Sequence, residues 1–246
     1  MSNTTTQFPE VTGQADLRRE PLASEGKRYI VRDPMTAVIH LALALGAAGT
    51  LGWYNAWLYA SVVLLVKVIS ALILARVNPA VLNARGTRQA MSVRERIFFS
   101  VFIPSWLAIP IVAGVDVGGA GWTHRSELAL AGGLVFVLVG TSLVAWALAV
   151  NAFFEKTVRI QHDRGQRVCT SGPYGFVRHP GYTGAIMAVS GVPLALGSFW
   201  CFVPVIVMTV ALIVRTAYED RLLRAELDGY EAYAARTGYR LCPLVW

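Results

Sequence analysis

Two stretches near the C-terminal end carry residue types and spacings that can do chemistry. The first runs G-Q-R-V-C-T-S-G-P-Y over residues 165–174 and continues G-F-V-R-H-P-G-Y over residues 175–182. Gly172-Pro173 is a turn signal, because glycine tolerates positive φ and proline fixes its own φ at about −65°. Pro180 biases His179 toward an extended backbone and suits the first turn of a helix, so His179 is expected to project from a fixed loop at a helix start. Such a start offers free N–H groups and partial positive charge, which suit a carboxylate or phosphate. Arg178 and His179 would equally suit contact with lipid headgroups. The second stretch reads R-T-A-Y-E-D-R-L-L over residues 215–223, then Y-E-A-Y over 230–233 and Y-R-L-C-P over 239–243. Arg215 and Glu219 stand four apart, so on a helix they share a face and can pair. Charges held beside an apolar segment are costly unless they bind something.

The elements that must position these stretches are membrane spans. Of 246 residues, 55% are apolar and 15% charged, against about a quarter charged in soluble proteins. This excludes a water-soluble enzyme, a disordered chain and a disulfide scaffold, and it points to an all-α polytopic membrane protein. Apolar runs fall at 35–51, 57–75, 97–115, 128–150, 182–197 and 199–214, which gives about six transmembrane helices, the last two short and joined at Gly197-Ser198 as a helical hairpin. The net charge of +7 is carried mainly by the connections, so it reads as an orientation signal and not as a nucleic-acid surface. Arginines cluster in 76–96 and, with Lys156, in 156–178, whereas 52–56 and 197–198 have no basic residue. The positive-inside rule therefore puts both termini in the cytoplasm, and Trp53, Trp57, Trp122 and Trp200 near the outer boundary. Cys169, Cys201 and Cys242 have no ligand-type spacing, so no metal site is expected.

The expected organisation is a flexible cytosolic tail over 1–30, a four-helix transmembrane part over 31–150, and a core over 151–246. That core comprises the hairpin 182–214, a cytosolic cap and a C-terminal helix. Because 182–214 goes out and returns, residues 151–181 and 215–246 share one face of the membrane, where any polar site must be built.

The ordered motifs G-P-Y-x-x-V-R-H-P-x-Y-x-G (residues 172–184), R-x-x-x-E-D-x-x-L (215–223), Y-x-x-Y and R-L-x-P resemble the isoprenylcysteine carboxyl methyltransferase family and the related bacterial phospholipid N-methyltransferases. The resemblance covers residues 151–246. It implies an integral-membrane enzyme of a bacterial inner or plasma membrane that takes S-adenosylmethionine from the cytoplasm and a lipophilic acceptor from the bilayer. By that resemblance the 165–174 loop, with Gln166 and Gly172, lines the adenosine, and Val168 and Cys169 offer backbone contacts to adenine. Tyr174, His179 and Tyr182 close over the cofactor, Glu219 faces its amino-acid or ribose end, and Arg215 lies near the acceptor. Gln166 departs from the family pattern, where histidine is frequent; it can hydrogen-bond but not titrate.

The implied chemistry needs alignment more than activation, because a methyl sulfonium is already a good electrophile. An acceptor carboxylate needs only an orienting cation, Arg215 or Arg178. A thiol or amine would be helped by a base, for which His179 is placed, although the same histidine can serve only to bind cofactor. Two other readings compete: an NADPH-dependent membrane reductase of a steroid-like lipid, and a non-catalytic lipid carrier. Elsewhere, Lys67 lies mid-span, where it either meets an anionic headgroup or pairs within the bundle. His40 reads as a hydrogen-bonded packing residue, and Asn151 as a helix C-cap.

Overall fold

The computed structural model describes residues 20–121 and 126–246. Trp122 and the first part of the expected tail lie outside them. The architecture is all-α and polytopic: five helices are long and apolar enough to cross a membrane, accompanied by one shorter apolar helix. They are α1 (Ser24–Ala48), α2 (Tyr54–Val77), α4 (Val93–Val115), α5 (Glu127–Val150) and α7 (Phe202–Glu226), with α6 (Pro180–Leu196) the short one; α3 (Pro79–Gly86) and α8 (Tyr230–Arg236) are brief.

Local signals set most ends. Ser92 and Glu95 form a reciprocal capping box at the start of α4, satisfying two N–H groups that a helix start leaves free. Proline opens α3 and α6 at the first turn, where its missing N–H costs nothing. Gly49 and Gly197 close α1 and α6 in the left-handed conformation, at φ 64° and 71°.

Three expectations change. Helix α1 begins at Ser24, within the stretch read as tail and before the apolar run at 35. Its polar first turns are held by α3: Asn83 Oδ1 accepts from the Ala23 N–H at 2.9 Å, and a Cβ at Gly86 would fall 2.0 Å from the Glu25 carbonyl oxygen. Hydropathy is blind to a helix anchored by polar contacts to a neighbour. Helix α7 likewise runs on to Glu226, carrying the polar 215–226 segment as a rigid continuation of a span. Trp53 stands at the start of α2, at the end of a span as expected, but it is 1% exposed and packs in an apolar cluster with Ala195, Leu196 and Cys201 instead of facing outward; Trp57 and Trp200 remain exposed.

Helix α6 lies along α5 through an interface of small residues. A Cβ at Gly133 would sit 2.3 Å from the Ala195 nitrogen, and one at Gly140 2.4 Å from the Ala188 nitrogen. From the other side, a Cβ at Gly184 would sit 2.6 Å from the Gly140 oxygen and one at Gly191 2.5 Å from the Gly133 oxygen. Backbones this close gain dispersion contact that bulkier residues forbid, the usual device of helices in lipid. The interface matters to the site because α5 ends, and α6 begins, at the polar cap. Gly140→Val should therefore destabilise the protein by about 2 kcal/mol or more, as overpacking against backbone does. Thermal unfolding in detergent checks it; an unchanged midpoint would show that the two helices can separate freely.

Candidate active site

The polar cap is built on Asp220, a residue of α7 that sequence reasoning passed over in favour of its neighbour Glu219. Asp220 is fully buried, at 0% exposure. Its Oδ1 accepts from Arg178 Nε at 2.8 Å and from the Tyr230 hydroxyl at 3.0 Å, and lies 3.3 Å from His179 Nε2. Its Oδ2 accepts from Arg240 at 2.9 Å and from Arg224 and Arg178 at 3.3 Å. One carboxylate thus ties the R-H-P segment, α7, α8 and the C-terminal segment into one body. The backbone adds to this: the N–H groups of Arg178 and His179 donate to the carbonyls of Tyr239 and Arg240. The R-L-x-P motif is therefore the hydrogen-bonding partner of R-H-P.

This arrangement changes the reading of Arg178. Besides Asp220, its guanidinium donates to the Thr237 and Gly238 carbonyls at 2.8 and 2.9 Å, and the side chain is 3% exposed. It is a structural tie and not a free cation for an acceptor. His179 borders the same network, with Nε2 also 3.4 Å from the Tyr230 hydroxyl.

Beside the network lies a narrow cleft of about 80 Å³. It is lined by Gln166, Val168, Cys169, Tyr174, Arg178, His179, Tyr182 and Glu219, so most of the expected residues meet around one space, while Arg215 does not line it. Gly172 is not among the lining residues; it makes the turn behind them, at φ 60°, where a Cβ would press on Trp146 at 3.1 Å. Gln166 Oε1 accepts from the Gln161 N–H at 2.7 Å, which closes the short turn before the loop. Cys169 is buried, its thiol 3.5 Å from the Val150 carbonyl. Asn151 does more than end α5: its Nδ2 donates to the Tyr174 hydroxyl at 3.0 Å while its Oδ1 accepts from Phe153 N–H. Tyr233 fixes Tyr174 from the other side through the Tyr174 carbonyl at 2.7 Å. Burial pushes the phenols of Tyr174, Tyr230 and Tyr233 above their ordinary range, so they remain protonated donors, not bases.

Arg215 and Glu219 do not form the direct pair their spacing allows. Tyr182 comes between them: its hydroxyl donates to Glu219 Oε2 at 2.5 Å and accepts from Arg215 Nε at 2.9 Å. Arg215 also donates to the Lys156 carbonyl at 2.6 Å and lies 3.6 Å from Glu95. Glu95 is 4% exposed and was not anticipated, although S-x-x-E ahead of an apolar run signals a helix start. The same carboxylate accepts from Val158 N–H at 2.7 Å, fastening the 151–164 segment to α4. Glu155, equally unforeseen, is buried and receives Arg159 at 3.1 Å and Gln89 at 2.6 Å on the cleft wall.

A second space adjoins the first. An apolar groove between α4 and α7 is lined by Phe98, Val101, Val207, Val210 and Val214, and at the cap end by Arg94, Glu95, Arg215, Tyr218 and Arg221. Val158 and Leu222 line both groove and cleft. The chain Arg215–Tyr182–Glu219 therefore runs from one space to the other.

A comparison with curated proteins returned no match. Residues 128–227 match the family model described as phospholipid methyltransferase, a stretch that holds α5, α6, α7, the 165–182 loop, Arg215, Glu219 and Asp220. Over that stretch this integral-membrane protein is similar to the phospholipid methyltransferase family, in keeping with the resemblance of its motifs, and the match points to a membrane methyltransferase.

Proposed function

We propose that the protein is an S-adenosylmethionine-dependent methyltransferase acting on a lipophilic acceptor from the bilayer, either an isoprenylcysteine-type carboxylate or thiol or a phospholipid headgroup. The observation that carries this reading is the hydrogen-bonded chain Arg215–Tyr182–Glu219 at the junction of a polar cleft and an apolar groove. A methyl donor that is charged and an acceptor that is greasy need two such spaces with a common wall.

The donor set of the cleft fits the cofactor. Glu219 supplies a carboxylate for an ammonium or ribose hydroxyls, Val168, Leu223 and Leu227 an apolar wall for a base, and Tyr174 and His179 a polar rim. When bound, S-adenosylmethionine supplies a methyl group already activated as a sulfonium. The protein's own part is placement: Tyr182 holds Glu219 on the cofactor side and Arg215 on the acceptor side, and the packed phenols of the cap keep water out. Arg94, Arg215 and Arg221 outnumber Glu95 at the groove's lip, which favours an acceptor with an acidic or phosphorylated head. The clustering of arginine in the segments at the cap end orients that end toward the cytoplasm.

Isothermal titration of the purified protein with S-adenosylhomocysteine and with NADPH tests the reading. Saturable binding of the nucleoside thioether, with none of NADPH, is expected; tight NADPH binding without the thioether would make the protein a reductase instead.

A further inference from the structure

A third space lies inside the bundle, on α1, α2 and the flank of α4 away from the groove, largely outside the segment that matches the methyltransferase family. Its volume is about 620 Å³. Helix α4 turns Ile97, Phe98 and Val101 to the groove but Phe102, Ile103 and Trp106 to this cavity.

Its polar content is unusual for the inside of a membrane protein. Lys67 donates to Asp33 at 2.9 Å, the two sitting about 15 Å along their helices from the cap end at 1.5 Å per residue. The protein does not seal this pair: the side chains keep 23% and 31% of their exposure, and both line the cavity. Deeper in, His40 bonds Tyr59 through Nδ1 at 3.2 Å and packs on Trp106 with the rings tilted by 36° and their centroids 4.2 Å apart. Its Nε2 is buried without a hydrogen-bond partner. At the cap end Arg85 closes the cavity; its guanidinium donates to the Tyr29 hydroxyl at 3.1 Å and the Phe154 carbonyl at 3.4 Å, and it forms no ion pair with a carboxylate among the described residues. Lys156 sits 4.6 Å from the centre of the Tyr29 ring. Its pKa is pushed down to about 8, first by burial and then by Arg85 and Arg32, with Asp33 acting against them. Lys67 and Arg85 thus share the cavity with one carboxylate, Asp33, and Lys156 stands behind Tyr29 at the cap end, while beyond them Val63, Val137, Val189 and Met208 are apolar.

We infer that this cavity is a second lipid site, which takes an anionic membrane amphiphile with its phosphate or carboxylate head between Arg85 and Lys67 and its chain among the apolar residues of α2, α5, α6 and α7. A positive surplus in a medium of low dielectric calls for an anion, and an apolar continuation calls for a chain attached to it. The site stands apart from the methyltransferase cleft, from which Phe154, packed against Gly181, divides it.

Native mass spectrometry of the full-length protein in neutral detergent, without S-adenosylmethionine, tests the inference. The titrants are phosphatidylglycerol, phosphatidylcholine and inorganic phosphate. One phosphatidylglycerol per chain should be held at least tenfold more tightly than phosphatidylcholine. The count of tightly held phosphatidylglycerol should fall by one in Arg85→Gln, which removes surplus charge, and in Val63→Phe, which fills space without touching charge. Any lipid in the α4/α7 groove is untouched by either substitution. Should Arg85→Gln fail to fold, Val63→Phe and Lys156→Gln carry the test. An unchanged count in the folded variants, or equal retention of the two lipids, overturns the inference. Displacement by millimolar inorganic phosphate would show a free-anion site and overturn the lipid reading.

Discussion

Asp220→Ala is expected to release the polar cap from the bundle while leaving the membrane helices folded. The carboxylate is wholly buried and receives three arginines and the Tyr230 hydroxyl, with His179 alongside. Removing it strands Arg178, itself 3% exposed, as an uncompensated buried charge. Breaking one partner out of a buried ion pair costs about 3–5 kcal/mol, a large share of the roughly 5–15 kcal/mol that holds an ordinary domain together. Cleavage by a soluble protease within 151–179 and 227–246 should accelerate by about a hundredfold or more, as a loss of about 3 kcal/mol implies for a locally opening segment. The apolar helices should stay intact in the same digest. Equal cleavage of mutant and wild type would mean that the cap is held by something other than Asp220.

The second large effect is expected at Arg215 and Glu219, and its two halves differ in kind. Arg215→Gln removes the cation at the lip of the groove but leaves the cleft lined as before. It should cut kcat/KM for the acceptor by about a hundredfold or more, the scale of losing one charge-assisted contact at a reacting group, with the affinity for S-adenosylhomocysteine nearly unchanged. Glu219→Gln keeps the size and one acceptor for the Tyr182 hydroxyl but removes the negative charge from the cleft, so S-adenosylhomocysteine affinity should drop by about tenfold or more. Tyr182→Phe should weaken both, since its hydroxyl touches both side chains. If Arg215→Gln and Glu219→Gln lose cofactor and acceptor binding to the same degree, the division of labour between cleft and groove is wrong.

Much of the fold is legible because membrane spans declare themselves by composition. What hydropathy misses is where polar segments continue a helix. The first turns of α1 and the last turns of α7 are polar in sequence, and their helical state depends on Asn83 and on the Asp220 network, which are tertiary contacts. In the candidate site, the two stretches that meet at the cleft can be picked out from glycine, proline and charge spacing. The partners inside the cap cannot. Arg178 and Glu219 look equivalent in sequence as charged groups near a membrane, yet one is tied to carbonyls and a carboxylate while the other borders open space. Likewise, an i, i+4 pair is only one of the geometries open to Arg215 and Glu219, and Tyr182, thirty-odd residues away, decides between them. Lys67 shows the same limit: its mid-span position announces a function or a partner, and only the packing of α1 on α2 reveals Asp33.

Transfer of a labelled methyl group from S-adenosylmethionine into extracted membrane lipid, catalysed by the purified protein and identified in the product, tests the central claim most directly. Wild-type protein should place label in a lipid-soluble product, and Arg215→Gln, still able to bind S-adenosylhomocysteine, should place almost none. Label transfer that is equal in the two proteins, or no transfer by a folded wild type that is saturated with S-adenosylmethionine and supplied with its native membrane lipids, would contradict the account.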